Sequence, residues 1–387
     1  MYFSKAELRN LTEEKIKSFL ERRIAENHHL DYKENLDDSP VRMKREFLKD
    51  VTSFANANGG DIIIGVKDPE VNNSIAIDEL MTGIDNGREL VNTLENVARD
   101  CIDPRVSGFE PILTPLSNNK HVIIIHIPPS LGKPHIASIE GKTLLYIRHH
   151  EHSDPMTSFE LKQTVLSSVT AEAQANDYLN KMAREAIYTY IKDAPSFLLQ
   201  AMPIIPPESP LDVLTDEVNG VLVDRGGHRG QSYPYFSLLS YAAPSPTIHG
   251  ITGKDSRTDI KYIHNFHKNG YVGLSFKNLY TTKRTTDGTR DYPCLNKTYE
   301  NLFKSFLDMT ENLLKVVSFE SPYLLRCKYL NARDTTLEGG LEFGAYPLPD
   351  IEWPDQIRQT GESFLPFADV WLEQMFHAFG TTSDNFG

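Results

Sequence analysis

Three acidic residues and one lysine near the N-terminus have side chains that could act on a phosphodiester. Glu26, Asp31 and Lys33 lie close together in the chain, and Asp68 follows a short apolar run further on. Divalent cations that assist phosphodiester hydrolysis screen the phosphate charge and activate water, and they prefer carboxylate oxygens as ligands. If the three acids converge, they could hold Mg²⁺ or Mn²⁺, while Lys33 could bind the phosphate or stabilise its developing charge.

Asp68 ends the stretch FANANGGDIIIGVKD, which is the clearest structural signal in the chain. A helix is expected to run into a tight turn at Gly59 and Gly60, because adjacent glycines permit backbone angles that other residues resist. The apolar run from Ile62 to Ile64 predicts a strand that is buried on both faces. Chemistry is often found where such a strand emerges, although many loop aspartates at such corners only cap a turn.

The residues around Asp31 predict a strand that presents the acid and the lysine together. Alternation around Leu30 and Tyr32 indicates an extended segment over residues 28–34. In that conformation Asp31 and Lys33 share one face, and Leu30 and Tyr32 share the other. The polar face could form the wall of an active site, and it could equally be a solvated strand face.

The neighbouring elements follow from the spacing of apolar residues. The predicted helices span residues 4–24, 41–56 and 88–101, and the further predicted strands span residues 74–77, 122–127 and 143–148. The helix over residues 41–56 carries the basic residues Arg42, Lys44 and Arg45. These side chains could contact phosphates, or they could form a solvated helix face.

The order of these motifs resembles the Schlafen family, specifically its AlbA_2-type core domain. The family pattern has an acid, four residues, a second acid, an aromatic residue and a lysine, followed by FAN, two glycines, an apolar strand and a GV-x-D ending. The matching positions here are Glu26, Asp31, Tyr32-Lys33, Phe54-Ala55-Asn56, Gly59-Gly60 and Gly65-Val66-Lys67-Asp68. Later matches are Ile127-Pro128, Lys133-Pro134-His135, Tyr146-Ile147-Arg148 and Pro155, so the resemblance spans roughly residues 15–160.

The resemblance implies an α+β core, with a mixed sheet and flanking helices, that cleaves RNA. In nuclease members of the family the acid trio carries metal-dependent cleavage of transfer and ribosomal RNA, and bacterial relatives suggest a role in antiphage defence. This implies Mg²⁺ or Mn²⁺ at Glu26, Asp31 and Asp68, with transfer RNA as the expected substrate. The middle acid is Asp31 where the pattern has Glu, which shortens its reach by one methylene. Alanine at any of the three acids is expected to abolish cleavage and to leave the fold intact.

The resemblance also predicts nucleic-acid contacts beyond the acid trio. It places Arg148 near the nucleic-acid groove, and an arginine at a strand end suits bidentate contact with a phosphate. Lys133 and His135, in the loop before that strand, are expected to lie along the same groove.

The whole chain has the size and composition of a globular protein of two or three domains. It has 387 residues, of which 40% are hydrophobic and 24% are charged, and its formal net charge is −13. That charge argues against coating nucleic acid by bulk attraction, but a nuclease needs basic groups only along a groove. The sequence has no apolar run long enough for a membrane helix. It also has no secretory signal at the N-terminus and no cysteine spacing typical of a metal site. A reducing cytoplasm is the simplest setting.

Three regions are expected along the chain. They are a nuclease-like core over residues 1–165, a helical linker over residues 166–210 and a mixed α/β domain of unknown role over residues 211–387. In the last region, strands are predicted over residues 218–223 and 271–276, and a helix over residues 298–317. The glycine cluster at residues 226–230 could cradle a phosphate, but it lacks the Lys-Ser/Thr of a P-loop. His264 and His267 lack a second metal-ligand pair and are expected to be structural.

These observations leave three functions open. The expected function is a metal-dependent endoribonuclease, and the alternative is a non-catalytic regulator that binds DNA or RNA in the same groove. A nucleotide-binding protein is the third, supported only by glycine turns. Because the single recognisable core would form one wall of a groove, a twofold homodimer is expected to supply the second wall.

Overall fold

The computed structural model describes residues 2–3, 8, 10–36, 39–192, 194–223, 242–255, 262–277, 280–284, 291–295, 298–337 and 346–380. The chain divides into two compact units. The first unit contains Met1–Ala171 with the short segments Glu320–Pro322 and Gln359–Gly361, and the second contains the remainder. The fold class is α+β, which confirms the prediction. In the ranges given above, no helix has both the length and the apolar character needed to cross a bilayer.

The first unit is built around a mixed four-stranded sheet. Its helices are α1 (Glu13–Leu20), α2 (Pro40–Asn56), α3 (Ile77–Leu80) and α4 (Gly87–Cys101). Its strands are β1 (Leu30–Lys33), β2 (Gly60–Ile64), β3 (Ile102–Asp103), β4 (Glu110–Pro115), β5 (His121–Ile127), β6 (Ile136–Ile139), β7 (Lys142–Leu144), β8 (Tyr146–His149) and β9 (His152–Pro155). The main sheet has the order β1-β2-β5-β4, and β3-β6-β7 and β8-β9 form two smaller sheets. β1 and β2 are parallel, whereas the other pairs in the main sheet are antiparallel.

Apolar residues cover both faces of the main sheet. On one face, Ile62 and Ile64 of β2 pack with Val51 of α2 and with residues of α4. On the other face, Ile63 packs with Phe19 of α1 and with residues of β1. Because a shift of one residue would reverse every side chain, this two-sided burial fixes the register of β1 against β2. The same register fixes the direction in which the polar residues of β1 point.

The glycine pair before β2 forms the tight turn that the sequence predicts. Gly59 has a φ of +74°, and a Cβ atom there would lie 2.4 Å from the carbonyl oxygen of Ile127. A Cβ atom on Gly60 would lie 2.5 Å from the ring of Phe54. Only glycine therefore lets α2 end and β2 begin within this space.

Most predicted elements of the first unit are confirmed. The helices over residues 41–56 and 88–101 and the strands over residues 62–64 and 122–127 are present. Of the helix predicted over residues 4–24, α1 covers Glu13–Leu20, and residues 4–7 and 9 lie outside the described residues. Thr12 caps α1 by accepting a hydrogen bond from the backbone nitrogen of Lys15. The strand predicted over residues 74–77 is wrong, because a turn from Asn72 to Ile75 leads directly into α3. The strand over residues 143–148 is instead divided between β7 and β8.

The second unit is also a mixed α/β structure. Helix α5 (Ser158–Ala186) begins in the range of the first unit and ends in that of the second, and a π-helical turn (Ile187–Ile191) follows it. The remaining helices are α6 (Asp216–Val223), α7 (Thr298–Val316) and α8 (Pro366–Ala378). The strands are β10 (Ser196–Pro203), β11 (Ala242–Pro246), β12 (Gly250–Asp255), β13 (Tyr262–His267), β14 (Val272–Lys277), β15 (Tyr280–Arg284), β16 (Asp291–Leu295), β17 (Tyr323–Leu330), β18 (Thr336–Leu337), β19 (Ile351–Glu352) and β20 (Gln356–Arg358).

The larger sheet of the second unit runs in the order β11-β12-β13-β14-β10-β17-β19. The strand over residues 271–276 and the helix over residues 298–317 are confirmed as β14 and α7. The range expected to be a helical linker includes β10, a fully buried strand between β14 and β17. The strand predicted over residues 218–223 is wrong, because that segment is helix α6. His264 and His267 are buried, and the glycine cluster at residues 226–230 lies outside the described residues.

Candidate active site

Strand β1 presents Asp31 and Lys33 side by side, as the alternation in the sequence predicts. Lys33 Nζ lies 2.7 Å from Asp31 Oδ2. Leu30 and Tyr32, on the opposite face, belong to the apolar cluster of α1. Asp31 is only 2% exposed, so its charge is held inside the protein. The polar face of β1 is thus an ion pair between a buried acid and a lysine whose side chain is 34% exposed.

Arg148 of β8 neutralises Asp31 from a second side. Its Nη2 atom donates to Asp31 Oδ1 at 3.1 Å and to the carbonyl oxygens of Asn27 and Leu30 at 3.2 Å each. Its guanidinium group also lies 4.6 Å from the centre of the Phe54 ring. Arg148 is 6% exposed, so in this structure it orients Asp31 from within the core. Its predicted contact with a phosphate would require these hydrogen bonds to open.

Asp50 of α2 is a further member of the cluster, and the sequence interpretation missed it. Its Oδ2 atom lies 3.3 Å from Lys33 Nζ, and its Oδ1 atom accepts a hydrogen bond from the Ser153 hydroxyl at 3.4 Å. The side chain is 5% exposed. A signal was present, since Asp50 interrupts the apolar stripe that includes Phe47 and Phe54. A carboxylate on the buried face of a helix indicates a partner elsewhere in the fold.

Glu26 lies at the start of this polar region. Its Oε1 atom accepts a hydrogen bond from the backbone nitrogen of Tyr32 at 2.9 Å. Burial and the negative charge of Asp31 raise the pKa of Glu26, and the charge of Asp68 contributes in the same direction. Asp31 and Asp68 therefore each lie close enough to Glu26 to repel its negative charge. A divalent cation would relieve that repulsion.

Asp68 lies after β2, in a turn that its own side chain stabilises. Its Oδ1 atom accepts hydrogen bonds from the backbone nitrogens of Glu70 at 2.8 Å and Val71 at 3.4 Å. This is the turn-capping role that the sequence left open. The oxygens of Glu26, Asp31 and Asp68 do not all lie within 4.8 Å of one another. The donor chemistry suits Mg²⁺ or Mn²⁺, but closing all three around one ion would require side-chain movement.

The lysine of this cluster has two carboxylate partners from two different elements. Burial alone would lower the pKa of Lys33, but the charges of Asp50 and Asp31 outweigh it and raise that pKa. Burial raises the pKa of Asp50, and the charge of Lys33 opposes that rise. Lys33 is therefore held in its protonated form, with its ammonium group between β1 and α2.

Two other predicted contacts, Lys133 and His135, fix a loop to the end of α2. Lys133 Nζ donates to the carbonyl oxygen of Ala57 at 3.0 Å, and burial lowers the pKa of Lys133. His135 is fully buried, with Nδ1 at 2.6 Å from the carbonyl oxygen of Pro104 and Nε2 at 2.8 Å from the Ser130 hydroxyl. Burial lowers the pKa of His135 as well.

The asparagine of the FAN motif connects the end of α2 to this loop. Asn56 Nδ2 donates to the carbonyl oxygens of His135 at 2.8 Å and Tyr146 at 2.9 Å. Asn56 Oδ1 accepts from the backbone nitrogen of His135 at 2.6 Å. The FAN motif and the Lys133-Pro134-His135 loop are therefore joined by hydrogen bonds from the Asn56 side chain to the backbone. In this structure His135 acts inside the fold, and it does not line an open groove.

The basic cluster on α2 is the part of the predicted nucleic-acid surface that is open to solvent. Arg42 and Arg45 are exposed, and Lys44 is half-buried. On the same side of the sheet, Lys33 and Asp50 line a cavity of about 180 Å³ between β1, β2 and α2. The cluster of Asp31, Lys33, Asp50 and Arg148 is thus reachable from solvent through Lys33 and Asp50.

Comparison with known proteins identifies the domain that holds this cluster. Residues 26–157 match the family model described as Schlafen, AlbA_2. The chain therefore carries a Schlafen AlbA_2-type core domain over these residues, and the match includes Glu26, Asp31, Asp68 and Arg148. This domain family includes nucleic-acid-binding and nuclease members. The search of curated proteins found no match to the chain.

Proposed function

We propose that the chain is a metal-dependent endoribonuclease that cleaves structured RNA, with transfer RNA as its substrate. The observation that carries this proposal is the arrangement of Asp31, which Lys33 and Arg148 contact from two sides and which lies beside Glu26. Buried acids whose mutual repulsion is only partly compensated are typical of sites that bind cations. A role in antiphage defence is part of the same proposal and rests on the resemblance alone.

Glu26, Asp31 and Asp68 would hold the Mg²⁺ or Mn²⁺ ion. Bound there, the ion would screen the phosphate charge and activate water. Arg148 and the backbone around Leu30 fix the orientation of Asp31. The Lys33 ammonium would bind a phosphate oxygen of the substrate and stabilise charge that develops during cleavage. Exposed Arg42 and Arg45 would contact phosphates further along the RNA.

Cleavage of labelled transfer RNA by the full chain, with Mn²⁺ and with EDTA, tests the proposal. We expect cleavage only with the metal. Glu26→Gln and Asp68→Asn should each lower the rate by about a hundredfold or more, because both variants remove a charged ligand. Both variants keep an acceptor for the hydrogen bonds of Tyr32 and of the turn after Asp68. Glu95→Gln, an exposed acid on α4, is the matched control.

The outcome for Asp68→Asn separates its two roles. Asparagine stabilises such turns about as well as aspartate, so a turn-capping role alone would leave cleavage unchanged. Wild-type rates in both Glu26→Gln and Asp68→Asn would exclude the acid trio as the catalytic set.

A regulator that binds nucleic acid without cleaving it is the second candidate. It is favoured by the pairing of Asp31 with two cations, which satisfies its charge without a metal ion. Under this function, RNA binding by the full chain would persist in EDTA, and no product would form with Mn²⁺. A homodimer that places two copies of the core around one RNA is proposed for either function.

A further inference from the structure

Lys33 contacts two carboxylates, Asp31 and Asp50, and each of these acids has a different second partner. Asp31 also contacts Arg148 and lies among the proposed metal ligands. Asp50 instead contacts Lys33 at 3.3 Å and the Ser153 hydroxyl at 3.4 Å. The Ser53 and Ser153 hydroxyls share a hydrogen bond of 2.8 Å, which ties Asp50's helix α2 to β9. Asp50 is thus fixed by its surroundings and directed at one lysine.

We propose that Asp50 is a positioning residue that anchors Lys33 when Asp31 is engaged by a divalent cation. This inference rests on the proposed function. A carboxylate that binds a divalent ion gives up much of its attraction for a neighbouring ammonium group, so Lys33 would lose one of its two partners. Asp50 is the acid that remains, and it is 5% exposed, where solvent screens little. It keeps Lys33 at the reaction centre without touching the reacting atoms.

The position of Asp50 separates this role from that of a metal ligand. Lys33 Nζ lies between the two acids, at 2.7 Å from Asp31 Oδ2 and 3.3 Å from Asp50 Oδ2. Glu26, Asp31 and Asp50 also do not form a group whose oxygens all lie within 4.8 Å of one another. Asp50 therefore acts on Lys33. The ammonium group of Lys33 separates Asp50 from Asp31.

A double-mutant cycle in the full chain tests the proposal. The variants are Asp50→Asn, Lys33→Met and the double variant, with kcat and KM measured on the same RNA in Mn²⁺. Asp50→Asn keeps the shape and the acceptor for Ser153. It should lower kcat by about tenfold to a hundredfold, the range typical of groups that orient a catalytic residue. KM should change by less than about threefold, because the charge of Lys33 stays in place.

The double variant decides whether Asp50 acts through Lys33. We expect it to be no slower than Lys33→Met alone, because a lysine that is absent cannot be misplaced. An equal loss from Asp50→Asn with and without Lys33 would mean that Asp50 serves the fold, and it would overturn the proposal. Unchanged kcat in Asp50→Asn would also overturn it. No cleavage by the wild type would instead overturn the proposed function, so the two failures are distinct.

Ser153→Ala provides an independent variant if Asp50→Asn does not fold. It removes the hydroxyl that orients Asp50 and leaves both charges in place. The expected result is a fall in kcat of about fivefold, equivalent to one hydrogen bond, with KM unchanged. Wild-type kcat in this variant would contradict the proposal. Glu95→Gln again serves as the control for removing an acid.

Discussion

Asp31 shows how one side chain can serve the fold and the chemistry together. It is 2% exposed, and Lys33 and Arg148 both depend on its charge. We predict that Asp31→Ala lowers the free energy of unfolding by about 3–5 kcal/mol, because it leaves the buried Arg148 without its carboxylate partner and leaves Lys33 with Asp50 alone. Urea denaturation followed by circular dichroism measures this change. The expectation that alanine leaves the fold intact is therefore revised for Asp31.

The control for this prediction is Asp100→Ala at the end of α4. Asp100 is exposed and contacts only its neighbour Arg99 among the ion pairs of the described residues. We expect a change of less than about 0.5 kcal/mol there. A loss below about 1 kcal/mol in Asp31→Ala would show that Lys33 and Arg148 find other partners.

For individual residues, the sequence allowed the chemically active side chains to be predicted, but not the residues that they contact. The alternation around Tyr32 correctly predicted that Asp31 and Lys33 share a face. Asp50, the other partner of Lys33, comes from a different element, and its distance in space cannot be read from spacing along the chain. Arg148 was predicted as a phosphate contact because the family resemblance places it near the nucleic-acid groove and because it ends a strand. Its hydrogen bonds to the backbone around Leu30 depend on how β8 packs, which no local pattern specifies.

Among the elements, the turn between α2 and β2 sets the geometry of the site. Gly59 (φ +74°) and Gly141 (φ +71°) share the left-handed conformation, but a Cβ atom would meet Ile127 at the first and nothing within 4 Å at the second. We predict that Gly59→Ala costs about 2–4 kcal/mol of stability, whereas Gly141→Ala costs about 1 kcal/mol. Thermal and urea unfolding of the two variants would measure the difference. An equal loss of stability in both variants would mean that only the positive φ angle matters. The backbone near Ile127 would then have moved to make room for the new methyl group.

The pairing of β2 with β5 contains a buried ion pair that makes stability depend on pH. His126 Nδ1 lies 2.8 Å from Asp61 Oδ1, directly across the two strands. Burial works against the charged imidazole, but Asp61 and then Glu320, whose Oε2 atom lies 3.6 Å from His126 Nε2, outweigh it and raise the pKa of His126 to about 9. Because the folded state binds the proton more tightly, this stabilisation is complete below the unfolded pKa of about 6.5 and is lost as the pH rises through about 9.

We therefore predict that the free energy of unfolding falls by an amount on the order of 3 kcal/mol between about pH 6 and about pH 10. Urea denaturation at a series of pH values measures this fall, and His126→Gln should flatten it across the same interval. If wild type and His126→Gln lose stability in parallel as the pH rises, a group other than His126 causes the loss, and Asp61 and Glu320 do not hold a proton on His126.

The elements also show where local pattern fails. The apolar run in β2 is buried on both faces of the sheet. A strand buried on both faces is apolar throughout, so the run of apolar residues was enough to predict it. Three of the eight residues of α6 are valines, which favour strands, yet the segment is helical. Thr215 accepts a hydrogen bond from the backbone nitrogen of Val218 and caps the helix, and Val218 and Leu222 are buried one turn apart. Packing against α7 selects the helix, and that contact is not visible in a short window of sequence.

At the scale of the whole molecule, the first unit leaves an apolar stripe exposed on helix α5. Phe159, Leu166 and Val169 are 70%, 56% and 73% exposed, and their spacing places them on one face of the helix. Exposed apolar residues that align in this way are typical of a surface that binds another protein. A twofold homodimer needs only one such self-complementary patch. The expected dimer can therefore be tested at a defined position.

We predict that light scattering at micromolar concentration gives a mass of twice the 43.8 kDa of one chain. Leu166→Glu should return the mass to that of one chain, because it places a charge in the middle of the apolar stripe. Ser167→Glu adds the same charge on another face of α5 and should leave the dimer intact. If two cores must enclose one RNA, Leu166→Glu should also weaken RNA binding, while the buried contacts of Asp31, Lys33 and Asp50 stay unchanged. A wild-type chain with the mass of a monomer and full RNA binding would show that one core is enough.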